Sequence, residues 1–174
     1  MRSLLKSTLF LLCLLVSLTA FAQKGNFRYL TKSNNDGSTF YALNGMTGQL
    51  YYMHDFGTEA GTWKKYGSAL RASTINNLGF AQVSFKNGTA FYALESNVGQ
   101  MHFMLDFGPT PGKWTKYGGI IRMAGDNTLQ FSAEPNGDGT KFTALDGTTG
   151  QVYYMFDMGT EDGVWKKYGG VTPK

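Results

Sequence analysis

The chain has 174 residues, 42% of them apolar, 15% aromatic and only 16% charged. That balance excludes a charge-solvated disordered polypeptide, which needs low hydrophobicity and high net charge. Its 23 glycines, about twice the ordinary rate of roughly 7%, point to turns and strands and away from a nucleotide-binding α/β enzyme.

The N-terminus reads as a targeting segment. Arg2 and Lys6 supply a basic start, Leu9 to Leu18 is almost wholly apolar, and Ala20-Phe21-Ala22 has the form of a cleavage site. These are the three parts of a secretory signal peptide, with cleavage expected after Ala22. The apolar run falls short of the roughly 20 residues that span a bilayer, so a membrane-spanning anchor is not expected. Cleavage removes Cys13, which is the sole cysteine, and with it any disulfide or thiolate metal site. It also removes Arg2 and Lys6, so the formal charge of +4 overstates the basicity of the exported chain. So small an excess does not imply a nucleic-acid partner.

Residues 23–174 form one domain of three repeats, about 23–73, 74–124 and 125–174. Trp63, Trp114 and Trp165 stand 51 residues apart, as do Phe40, Phe91 and Phe142. The units align without a gap from Asp36, Asn87 and Asp138 onward, and the period extends upstream through Phe27, Leu78 and Leu129. Each unit predicts four short strands. The first is exemplified by Leu129–Ala133 and closes at an Asn-Gly or Asp-Gly. The second is Phe40–Leu43. A glycine-bearing turn leads to the third, Gln49–Asp55, and a glycine loop, 57–61, leads to the fourth, Thr62–Tyr66. Alternation, β-branched and aromatic residues, and Gly/Asn/Asp turns at short spacing make this an all-β chain of three four-stranded antiparallel repeats. Phe40, Ala42 and Leu43 recur unchanged in all units, so both faces of the second strand are expected to be packed. Leu50, Met101 and Val152 exchange as core apolars. Tyr51, His102 and Tyr153 exchange ring for imidazole, which predicts partial exposure.

Ala144-Leu145-Asp146, Gly150-Gln151-Val152-Tyr153-Tyr154 and Trp165 together resemble blades of β-propellers, most of all the tectonin and tachylectin-type lectin repeats. There is a weaker likeness to quinoprotein-type blades, with Tyr154 where those carry Trp. The resemblance implies propeller-like blades and carbohydrate binding. Propellers usually have about four to eight blades, and this chain supplies three. A homodimer would complete a six-bladed ring. The alternative is a β-trefoil, which closes within one chain.

The candidate ligand-binding residues recur with the repeat. Trp63, Trp114 and Trp165 offer flat indole faces suited to the apolar face of a pyranose, though an aromatic in a repeated slot equally serves the core. Asp55, Asp106 and Asp157 are acidic in every copy, either as hydroxyl acceptors or as organisers of the following glycine loop. Lys65, Lys116 and Lys167 precede Tyr66, Tyr117 and Tyr168. Gln49, Gln100 and Gln151 follow a fixed glycine and can read either a hydroxyl or a turn carbonyl. No His/Asp/Glu cluster has metal spacing, so neither a metal nor a cofactor is expected. Catalysis normally needs one asymmetric cluster, whereas every distinctive feature here occurs three times. The expectation is therefore a secreted or periplasmic, non-catalytic, lectin-like protein whose partner is a glycan or cell-surface polysaccharide. Its rival is a structural or protein-interaction module of the periplasm or cell surface.

Overall fold

The computed structural model describes residues 27–34, 37–55, 61–71, 78–106, 112–121, 129–137, 139–157 and 163–169. Residues 1–22, read above as a signal peptide, and most of the loops before the fourth strands lie outside them. The described residues hold twelve strands and no helix. Unit 1 contributes β1 (Phe27–Asn34), β2 (Gly37–Asn44), β3 (Leu50–Asp55) and β4 (Lys64–Tyr66). Unit 2 contributes β5 (Leu78–Phe85), β6 (Gly88–Glu95), β7 (Met101–Asp106) and β8 (Thr115–Tyr117). Unit 3 contributes β9 (Leu129–Asn136), β10 (Gly139–Asp146), β11 (Val152–Asp157) and β12 (Lys166–Tyr168). Each unit is its own antiparallel meander in chain order. The first two strands run longer than the sequence predicts because the hairpin between them is tight: Asn34 pairs with Gly37, and Phe85 with Gly88.

No closed barrel forms among the described strands, and no strand of one sheet pairs with a strand of another. A trefoil, which needs strands of all three units to close one barrel, is not their arrangement. Instead, the sheets stack face to face in the order 1, 2, 3, and neighbours approach most closely along their first strands, β1 beside β5 beside β9.

The core lies in the two seams between sheets. In the seam between units 1 and 2, Tyr41, Leu43, Leu50 and Leu70 of unit 1 meet Leu78, Phe80, Phe91, Ala93 and Met104 of unit 2. The seam between units 2 and 3 repeats this one period on. Tyr92, Leu94, Met101 and Ile121 there meet Phe142, Ala144 and Met155. Period-two alternation sets the pattern, because odd and even positions of a strand serve opposite seams. Polar bonds accompany the packing of the first seam. Arg28 Nε donates to the Leu78 carbonyl at 2.9 Å and Lys32 Nζ to Thr89 Oγ1 at 3.1 Å.

Both faces of the second strand are packed as expected in unit 2, where β6 is buried from Thr89 through Glu95. The end units differ. Phe91 and Phe142 are fully buried, whereas Phe40 of the first unit is only half-buried; Leu43 and Leu94 are fully buried, whereas Leu145 of the last is half-buried. The partial exposure predicted from the Tyr51, His102 and Tyr153 exchange is corrected in two of the three units. His102 and Tyr153 are buried because the preceding sheet covers them, and only Tyr51 stays partly exposed. Imidazole is accommodated at 102 by a buried partner. His102 Nε2 lies 2.5 Å from Glu95 Oε1, with both residues almost wholly buried.

Candidate functional site

The repeated candidate residues of one unit do not all share one face of its sheet. Neighbouring residues on a strand point to opposite faces, so Trp63 and Lys65 share one face of their sheet while Tyr66 projects from the other. The groups that meet come from consecutive units. Tyr66, at the end of β4, donates its hydroxyl proton to the carboxylate of Asp106, at the end of β7. Burial and this acidic neighbour push the Tyr66 phenol well above its ordinary range. Tyr41 lies close by, its phenol pushed up to about 12 by burial and then by the charge of Asp106. Both rings pack on Phe91, with centroids at 4.8 Å for Tyr41 and 6.0 Å for Tyr66.

The second seam repeats the ring packing. Tyr92 and Tyr117 pack on Phe142 at 4.7 and 6.4 Å. The Tyr92 phenol is raised, first by burial, with the charge of Asp157 adding to it and a hydrogen bond with Thr140 opposing it. The rim of each seam is narrow because glycine abuts glycine. A Cβ on Gly67 would stand 2.7 Å from Met104 Sδ and 2.8 Å from the Gly112 carbonyl, and Gly118 faces Met155 and Gly163 in the same way.

The other candidates take definite places. Trp114 and Trp165 are half-buried against the seam cores, and their indole N–H groups are buried with no acceptor among the described residues. Trp63 is 42% exposed, since no sheet among the described residues covers that face of unit 1. Lys65, Lys116 and Lys167 are exposed on β4, β8 and β12, opposite Tyr51, His102 and Tyr153 respectively. Asp55 and Tyr168, at the two ends of the array, are both exposed. The glutamines prove to be clamps. Gln49 Nε2 donates to the carbonyls of Leu50 and Tyr66 at 2.9 and 3.1 Å, and Gln100 and Gln151 repeat the pair of bonds. Each thereby ties the start of the third strand to the end of the fourth.

Sequence reasoning missed one feature. Phe27, Tyr29, Ala42, Tyr51 and Trp63 line a concavity of about 340 Å³ on the outer face of unit 1. Their counterparts in units 2 and 3 are covered, so a reading that treats the units as equivalent cannot find it. No group of three His, Cys, Asp or Glu residues suited to a metal ion occurs among the described residues. No helix there is long and apolar enough to cross a membrane. Comparison with protein-family models, curated proteins and solved structures finds no match.

Proposed function

We propose that the three sheets are propeller-like blades of a secreted, non-catalytic, lectin-like protein whose carbohydrate sites lie at the seams between consecutive units. The observation that carries this reading is the recurrence at each seam of a carboxylate from one unit and tyrosines from the preceding one. Asp106 with Tyr66, and Asp157 near Tyr92, set an acceptor next to aromatic edges, with an exposed lysine on the neighbouring fourth strand. Such groups hydrogen-bond sugar hydroxyls and cover the apolar face of a ring. Recurrent weak sites gain avidity on a repetitive target, as glycans are.

A broad glycan panel, followed by titration of the best binder, tests the reading. Asp106→Asn and Asp157→Asn each remove a charged acceptor. A hydrogen bond to a charged group contributes about 1.5–3 kcal/mol, so each variant is expected to weaken its site roughly tenfold to a hundredfold. Absence of binding by the folded wild type across the panel would move the choice to the second reading, a structural or protein-interaction module. What favours that reading is the uncovered aromatic face of unit 1.

A further inference from the structure

We infer that the uncovered face of unit 1 is covered by the uncovered face of unit 3 from a second copy of the chain. Two chains then close head to tail into a ring of six sheets. The inference rests on the blade-like reading above, but not on any ligand.

The same two kinds of face already meet twice inside one chain. In each internal seam, one unit presents Tyr41, Leu43, Leu50 and Tyr66, or Tyr92, Leu94, Met101 and Tyr117. The next unit receives them on Phe91 and Met104, or on Phe142 and Met155. At the ends of the array each kind of face is left over once. Unit 3 presents Thr143, Leu145, Val152 and Tyr168, while unit 1 offers Phe40, Met53, Tyr29 and Trp63. Residues fully buried inside the chain become half-buried at these two ends, and Tyr168 is 68% exposed where its counterparts Tyr66 and Tyr117 are half-buried.

Particular partners follow from the register. Tyr66 donates to Asp106 and packs on Phe91, so Tyr168 of one chain is matched to Asp55 and Phe40 of the other. Arg28 donates to the Leu78 carbonyl, and its counterpart Gln130 carries an amide suited to the carbonyl of Phe27. Gly67 and Gly118 abut the next unit, whereas Gly169, in the same left-handed conformation, has nothing within 4 Å of its would-be Cβ. The second copy therefore completes a third seam, in which Tyr168 stands against Asp55 as Tyr66 stands against Asp106. Sheets that converge on their first strands turn about a common axis. Three sheets fall below the roughly four to eight of closed propellers and six fall within it. Head-to-tail faces form a ring when the rotation closes and a fibre when it does not.

Sedimentation velocity of the secreted chain at micromolar concentration is expected to give twice the chain mass. Tyr29→Glu and Tyr168→Glu each place a charge in a seam and are expected to raise the dimer dissociation constant at least about tenfold. Ile120→Glu, in the middle unit, is expected to leave it unchanged. Mixing the Tyr29→Glu and Tyr168→Glu chains is the decisive arm. A mixed dimer has one wild-type seam and one doubly altered seam, so mixing is expected to restore dimer that neither variant forms alone. A monomer at tens of micromolar, a series of species growing with concentration, or no gain on mixing would each overturn the inference. A monomer that binds a sugar over Trp63 would overturn it while leaving the carbohydrate reading intact. A dimer that binds no glycan would do the reverse.

Discussion

Tyr66 and Tyr41 carry a pH dependence whose sign is fixed by their surroundings. Both phenols are raised, chiefly by burial and then through Asp106. The folded state therefore favours the protonated form, and unfolded tyrosine ionises near its ordinary value of about 10. Their contribution to stability is fully present below about pH 10 and is lost as pH rises from there through about 12 and beyond. Denaturant midpoints measured from pH 8 to 12 should fall for the wild type. The fall should be shallower for the Tyr41→Phe, Tyr66→Phe double variant, which has no phenol at either position to ionise. The sequence offers only part of this site. It marks Tyr66 and Asp106 as repeated residues, but it does not say that they meet. The true partner lies in the next sheet, and strand alternation alone does not say which sheet that is. The Glu95–His102 pair is still harder to read, because Asn44 and Tyr51 occupy these positions in unit 1 and Asp146 and Tyr153 in unit 3. Unit 3 keeps a related contact, since Tyr153 is raised by burial and then by Asp146.

At the scale of the element one device recurs in all three units and a second is seen in units 1 and 2. The glutamine clamp fixes the third strand to the fourth. The segment after the fourth strand then folds back over the turn between strands two and three, where the Leu70 N–H donates to the Gly48 carbonyl at 2.8 Å and Ile121 repeats the bond to Gly99. That return path requires a glycine. Gly48 has φ +66, and a Cβ there would stand 2.1 Å from the Leu70 carbonyl oxygen. Gly48→Ala combines a left-handed backbone with a backbone collision, so its cost should exceed about 1 kcal/mol. Gly119→Ala, with nothing within 4 Å of its would-be Cβ, should leave the melting temperature nearly unchanged. Strand number, order and turn positions were legible from alternation and from the repeat. The length of the first two strands was not, because Gly37 and Gly88 read as turn residues yet pair within the ladder.

The whole molecule is an array whose units are alike in sequence and unlike in environment. Periodicity identifies the repeated positions but says nothing about which face has a neighbour, so Trp63, Trp114 and Trp165 look equivalent until the stacking order is known. The middle sheet is the one described sheet with a neighbour on each side, and that has a consequence in time. Its second strand, β6, is buried along almost its full length. Its amides can exchange with solvent deuterium only when both adjoining seams open, which amounts to loss of the whole array. Exchange by local fraying needs no such event at exposed ends. Amides of Phe91 to Leu94 should therefore exchange at the rate set by global unfolding. Those of Lys64 to Tyr66, on a three-residue outer strand, should exchange orders of magnitude sooner. In a single chain, a deuterium pulse would then label the protein from its rim inward, with the middle sheet last to register that the chain had ever opened.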